Sequence, residues 1–334
     1  MLLALKLTLN RNSISHIERP VIMIVNNTII ENTAKPGYIF ISDIHGNKKT
    51  IDLIKTARNT YPDFTLVGGG DYIDGRKDAK AVLDYLMNQD NAVILRGNHE
   101  QMLIDFTEGR DEPINDDIGY MEPLWFANGG KTTLHSLFHY KFSNSKYTLA
   151  QKLLKDSKYY QFLKQMPIMY DTPYIIFVHA GVLPIADYDN PKNYHGIANY
   201  DYDMYRLWAR REYIYEFENN IPVHQYAIDD QNHKEVSLPI FAHNKTGKTI
   251  VTGHTPTALI SGMYDKMHKI IHTKPFSHCD VLTIQYDNEP ARIFTDNGNH
   301  SRYPKHDGNV VVINNKGTII DIYNYDHPNG TNYQ

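Results

Sequence analysis

A chain of 334 residues, 41% of them hydrophobic, is long enough to bury a sizeable core in one large domain or two ordinary ones. Its formal net charge of −4 excludes a strongly basic nucleic-acid-binding surface and a polybasic membrane anchor, and no apolar run approaches the roughly 20 residues of a membrane span. The single cysteine, Cys279, excludes an intrachain disulfide framework and a thiolate zinc site; a reducing, cytoplasmic setting is expected.

The opening "MLLALKLTLNRNS" is interrupted by Lys6 and lacks a small-residue cleavage pattern, so no secretory signal is expected. Residues 1–36 read as an N-terminal extension, in which "PVIMIVNNTII" has the pattern of a strand or hairpin ahead of the Pro36-Gly37 break. From Gly37 the pattern alternates: strand 38–42, helix near 48–60, strand 64–68, helix near 77–88, strand 92–95, and a helix from about 99. This β-α-β-α-β order predicts an α/β fold with a parallel sheet, right-handed crossovers and ligands at the carboxyl ends of the strands.

Residues 109–165 read as mostly helical and lead into a buried-type strand, "YIIFVHAGV", from Tyr174 to Val182. Residues 186–247 are polar and rich in tyrosine, and read as a cap or insertion beside a site. "KTIVTGHTPT" (Lys248 to Thr257) supplies a fifth strand, and the short apolar runs of the tail predict a mostly antiparallel second sheet. The expected organisation is an extension, 1–36, and one domain, 37–334, that carries 186–247 as its cap.

Chemistry concentrates at the strand ends. "GYIFISDIHGN", "TLVGGGDYIDGR" and "NAVILRGNHE" each run from apolar strand into a cluster of Asp, His, Asn and Gly. A turn explains any one of them; it does not explain three strand ends in a row with metal-ligand residue types, followed by His179 and His254 after two later apolar strands. Two divalent ions need a bridging carboxylate and several O and N donors on rigid elements. Asp43 and His45, two apart, are expected on one side of a strand and so on one ion. Asp71 is the natural bridge. Asn98, His179 and His254 are expected to complete the ligand set of the second ion, with a bridging hydroxide as the expected nucleophile.

"SDIHGN", "GGDYIDG", "RGNHE", "FVHAGV" and "TGHTPT" resemble the successive motifs of the calcineurin-like metallophosphoesterases, and within them the phosphoprotein phosphatase and bacterial diadenosine tetraphosphatase branch. "FLKQMPIMY" and "WFANGGKTTL" are also similar to bacterial members. The resemblance covers about Gly37 to Thr257 and implies a four-layer α-β-β-α sandwich with mixed sheets and a dimetal site, filled by manganese or alternatively iron or zinc. It implies Asp43, His45 and Asp71 on one ion and Asp71, Asn98, His179 and His254 on the other. His99 matches the general acid and Asp74 the carboxylate that orients it, which agrees with a carboxylate raising an imidazole's pKa and fixing its pose. The family usually reads Asp-Arg-Gly, its arginine gripping phosphate, where this chain reads Asp74-Gly75-Arg76; Arg76 is displaced by one place. Arg210, with Arg211 second, matches another phosphate-binding arginine.

The first expectation is a serine/threonine-type protein phosphatase; the alternative is a symmetrical bis(5'-nucleosyl)-tetraphosphatase, and the third a non-catalytic scaffold for a phosphorylated partner, favoured only by the displaced Arg76. The expected partner is thus a phosphorylated protein or a nucleotide, with no nucleic acid or membrane. "NKTGKTIVTG" fails as a phosphate-binding loop, because Ala242 stands where the first glycine is required and a strand follows. "HTKPFSHCD" reads as a turn between strands, and "EGRDEPINDD" as a solvated loop. His300 and His306 lie where the last loops reach toward a site and are assigned no role.

Overall fold

The computed structural model describes residues 22–33, 35–116, 119–140, 147–194, 202–210, 214–218, 221–225, 242–258, 260, 272–275, 281–301 and 307–331. In chain order they begin with β1 (Ile22–Val25), β2 (Thr28–Glu31), β3 (Gly37–Ile41), α1 (Lys49–Thr60), β4 (Thr65–Gly68), α2 (Ala79–Met87), β5 (Ala92–Ile94) and α3 (Asn98–Thr107). Next come β6 (Ile114–Asp116), β7 (Gly119–Met121), α4 (Leu124–Ala127), α5 (Gly130–Phe138), α6 (Tyr147–Lys155), α7 (Lys158–Gln165), β8 (Met169–Asp171) and β9 (Ile175–Val178). The remainder holds α8 (Tyr202–Trp208), β10 (Ile214–Glu218), β11 (Ile221–Gln225), β12 (Thr249–Thr252), β13 (His272–Pro275), β14 (Leu282–Gln285), β15 (Arg292–Phe294), β16 (Val310–Asn314) and β17 (Ile319–Tyr323).

Two mixed sheets pack face to face. The first has the order β17-β16-β3-β4-β5, with β3, β4 and β5 parallel; the second has the order β1-β2-β8-β9-β12-β15-β14-β13, with β9, β12 and β15 parallel. Period-2 alternation explains why β3 reads as an unbroken apolar run: Ile39 and Ile41 face the helices, while Tyr38 and Phe40 face the second sheet. Between the sheets Phe177 stacks on Phe40 and Tyr170, at ring-centroid distances of 5.6 and 5.8 Å. Ile51, Ile54 and Ala57 of α1, at helical spacing, close the outer face of the first sheet together with α2 and α3. Leu183, Tyr194, Tyr205 and Ala209 form a smaller cluster that includes α8.

The tail does not make a sheet of its own, as its alternating runs suggest. β14 and β15 extend the second sheet, with β15 parallel to β12, whereas β16 and β17 complete the first, with β16 antiparallel to β3. The cause is the edge of β3: one side pairs with β4, and the other needs a strand buried on both faces, which "VVVIN" supplies. Residues 109–165 likewise contain the β6–β7 hairpin ahead of their helices.

The β1–β2 hairpin turns on Asn26 and Asn27, both with positive φ (47° and 58°), as a tight two-residue turn between twisted strands requires. β2 then runs parallel to β8. Asn27 donates to Asp203 Oδ2 at 2.8 Å and the buried Arg206 donates to Thr28 Oγ1 at 3.0 Å, which ties the hairpin to α8. No helix among the described residues is long and apolar enough to cross a membrane.

Phe177→Ala should cost about 3–5 kcal/mol, because its ring fills the seam between rigid sheets that cannot collapse onto the space. Urea midpoints check this, with Ile24→Ser, at a position 71% exposed, expected to shift stability by less than about 0.5 kcal/mol.

Candidate active site

The polar clusters lie just past the strands, in turns rather than in the strands themselves. Asp43, His45, Asp71, Asp74 and His254 have φ of 55°, 46°, 59°, 66° and 64°, a region that Asp, Asn and His tolerate better than other side-chain-bearing residues. Asp43 and His45 therefore converge through a left-handed turn, not through strand alternation. What holds the turn is backbone pairing with the next loop: the amides of Asp43, His45 and Gly46 donate to the carbonyls of Gly70, Asp71 and Tyr72 at 2.8–2.9 Å. Gly70, at φ 98°, is needed for close approach, since a Cβ there would lie 2.5 Å from Gly97 N and 2.8 Å from His179 Nδ1.

Asp71 is nearly fully buried and is held from several directions. Its amide donates to Glu100 Oε2 at 2.8 Å, and its Oδ1 accepts the His99 amide at 3.0 Å. Glu100 also accepts the amides of Tyr72 and Gly97, at 2.8 and 2.9 Å, so one carboxylate near the start of α3 satisfies three buried N–H groups. Sequence reasoning passed over Glu100; its place as the third residue of a helix, after "RGNH", was the available signal.

Two groups of donor atoms share Asp71. Asp43, His45 and Asp71 form one, and Asp71, His179 and His254 the other, each with its donor atoms within 4.8 Å of one another. Asn98 Oδ1 lies 2.8 Å from His179 Nε2, and His254 Nδ1 lies 3.1 Å from the same nitrogen. His45 and His179 each turn Nδ1 to a backbone carbonyl, of Ile73 and Gly69 respectively, which leaves Nε2 facing the cluster. A carbonyl that accepts Nδ1–H fixes the tautomer and turns the lone pair of Nε2 toward an ion, as in ligating histidines. His254 Nε2 is buried without a hydrogen-bond partner among the described residues. Too many acceptors converge for the available protons, so the donor set fits metal ions.

The electrostatics agree. Burial alone would raise Asp71, but His179 and His99 hold its carboxyl well below the usual range. Burial would lower His179, yet Asp71 outweighs it and lifts the imidazole to about 9. Burial, reinforced by neighbouring cationic groups, pushes His45 and His254 well below the ordinary value. The field that draws a proton to His179 is the field that would draw a cation.

His99 stands beside this cluster. Its Nδ1 donates to Asp74 Oδ2 at 2.8 Å; against burial, the charge of Asp71 and the bond to Asp74 raise it to about 9. Asp74 is fixed in turn, since Trp125 Nε1 donates to both its oxygens at 3.2 Å and Thr133 Oγ1 donates to Oδ1 at 2.5 Å. Trp125 is itself seated by Asp111, whose carboxylate accepts the Leu124 and Trp125 amides at 2.7 and 2.9 Å. The "WFANGGKTT" segment and the acidic loop before it thus reach the site, which spacing did not reveal.

The two arginines part company. Arg210 lies at the site, its Nη1 donating to the His254 carbonyl at 3.0 Å. Arg76 is drawn aside, its Nε donating to the Asn299 carbonyl at 3.3 Å. Arg211, His306 and Cys279 lie outside the described residues. Residues 249–252 after the phosphate-loop lookalike are strand β12, and 272–275, expected as turn, form β13.

Residues 38–268 match the family model for calcineurin-like phosphoesterase. Among solved structures, one provisionally described as a diadenosine tetraphosphatase superposes with a TM-score of 0.51 at 16% identity, covering 89% of this chain and 97% of its own. A cold-active protein-tyrosine phosphatase of a psychrophilic Shewanella species gives 0.46 at 16% identity, over 93% and 83%. A protein serine/threonine phosphatase from Saccharomyces cerevisiae gives 0.38 at 12% identity, over 79% and 68%. No curated protein matches the chain in sequence.

Asp71→Asn should keep the native circular dichroism spectrum yet bind fewer equivalents of Mn²⁺ than the unaltered chain in equilibrium dialysis. Equal metal content in the two proteins would contradict a shared carboxylate.

Proposed function

Because this chain belongs to the calcineurin-like phosphoesterase family and is a hydrolase of phosphoric esters, we propose that its substrates are phosphate monoesters on protein side chains, of the serine/threonine type. The observation that carries the reading is the Asp74–His99 pair set against a carboxylate shared by two donor groups. Asp43, His45 and Asp71 would hold one divalent ion, and Asp71, Asn98, His179 and His254 a second, with manganese first among the candidates. When bound, such ions polarise phosphoryl oxygens and lower the pKa of water.

The chain's own residues do the rest. His99, its ring held by Asp74 at Nδ1, presents Nε2 to the leaving oxygen and gives it a proton as the P–O bond breaks. Asp74 fixes the ring through Nδ1 and balances its charge, while Trp125 and Thr133 prevent the carboxylate from turning away. Arg210 faces the site from α8's end, where a guanidinium pairs with phosphoryl oxygens in two-point fashion. Of the cap expected over 186–247, residues 195–201, 211–213, 219–220 and 226–241 lie outside the described residues, and α8 with Ala209 and Arg210 brings Trp208 and Arg210 to His254.

Symmetrical cleavage of dinucleoside tetraphosphates is the second reading, and Trp208 favours it. The half-buried indole meets His254 edge-on at 6.3 Å, so an aromatic ring stands beside the donor groups, and aromatic rings are what nucleobases stack on.

His99→Asn should lower turnover of p-nitrophenyl phosphate by about 10²–10⁴-fold with metal content unchanged. Phosphopeptide and diadenosine tetraphosphate are then compared on manganese-loaded protein, with Asp71→Asn as the blank. Faster release of inorganic phosphate from the peptide is expected; cleavage of the nucleotide into two diphosphates at the higher rate would replace the first reading with the second.

A further inference from the structure

A third histidine stands at the mouth of the site without a part in the scheme above. His300 lies in a 3-10 turn, Asn299–Ser301, after β15 and is exposed, yet its ring is seated between the two imidazoles below it. It meets His45 edge-on at a centroid distance of 4.7 Å and His99 at 5.6 Å, and one nitrogen from each of the three rings lies within 4.8 Å of the others.

This position is built. Asn299, fully buried, accepts from Asn47 Nδ2 at 3.0 Å and donates to the Ile44 carbonyl at 3.0 Å, so the turn is bound to the loop that carries Asp43 and His45. Arg76 clamps the same residue through the Asn299 carbonyl. Room for the ring comes from Gly75: it has φ 73°, and a Cβ there would lie 3.2 Å from His45 Cβ and 3.3 Å from His300 Cδ2. The order Gly75-Arg76 therefore has two effects, opening space over His45 and sending the guanidinium to brace the residue beside His300.

We propose that His300 is a substrate-contacting residue that donates an N–H to a phosphoryl oxygen at the solvent side of the site, with Arg76 as its positioning residue. An imidazole carries at least one N–H donor in either protonation state, so the contact does not require a charged ring. A cation shared by the three histidines would compete for the Nε2 that His99 needs for its proton; His45 and His99 both already direct Nε2 toward Asp71 Oδ2, at 3.7 and 3.8 Å. The role rests on the phosphoesterase reading, but its test does not need turnover.

Tungstate, a phosphate-shaped oxyanion, is titrated calorimetrically into manganese-loaded protein. His300→Ala should weaken binding about tenfold to a hundredfold, as loss of a hydrogen bond to a charged group does. His300→Gln, which keeps an N–H donor, should recover part of it. Arg76→Ala should weaken binding in the same direction, and less than additively when combined with His300→Ala. Equal affinity in His300→Ala and the unaltered chain overturns the proposal, as does no tungstate binding at all, or loss of a metal equivalent on His300→Ala, which would make the ring a ligand. Tungstate binding that depends on His300 without hydrolysis of any phosphoester would leave the contact standing and remove the enzymatic reading instead.

Discussion

Everything at the site depends on one buried carboxylate. Asp71 closes the second loop, faces both donor groups, and sets the electrostatics of His179 and His99. A charge this deep is costly unless compensated. Its compensation is the architecture itself: Glu100 holds its amide, the His99 amide holds one oxygen, and three imidazoles surround the other. Glu100 shows how far the demand spreads. Its own carboxyl is lifted to about 7 by burial and by Asp71, yet it remains because three amides would otherwise be orphaned.

The two sheets divide this task. β3, β4 and β5 deliver Asp43, His45, Asp71, Asn98 and His99, while β9 and β12 deliver His179 and His254. One link across the divide is the His254 amide, which donates to the Asp43 carboxylate at 3.0–3.1 Å. Five residues here adopt left-handed backbone, a conformation that costs of order 1–3 kcal/mol each in unfavourable cases and persists only where surroundings impose it. For Asp43, His45 and Asp71 that imposition is the backbone pairing between the first two loops, and for His254 it is the bond of its amide to Asp43.

Much of this was legible before any coordinates. The β-α-β-α-β run gives three strands and their helices within a residue or two, because β3 and β4 are buried on both faces, β5 is a short apolar run half-buried beside them, and α1 and α2 each bury one apolar stripe. The ligand-type residues stood out because Asp and His after apolar runs are costly without a purpose. Other features were not local. Val312 faces Ile39 across a ladder that no pattern near either residue announces, so the tail's expected place in the second sheet holds for β13 to β15 and fails for β16 and β17. Trp125 and Thr133 serve Asp74 from a different segment, and nothing in their own spacing says so. The exchange of Gly75 and Arg76 could be seen in the sequence; its meaning required knowing that Asn299 and His300 come to lie beside it.

The antiparallel pairing of β16 with β3 also fixes a schedule. β3 carries the first loop of the site, and the strand that covers its free edge ends at Asn314, after every residue of both donor groups. On the ribosome, the five residues from the first sheet emerge long before His179 and His254, and the sheet that supports them stays unfinished until the tail is out. Assembly of the two donor groups is then a late event in folding, and a nascent chain stalled before its last strands would carry these side chains without the frame to aim them.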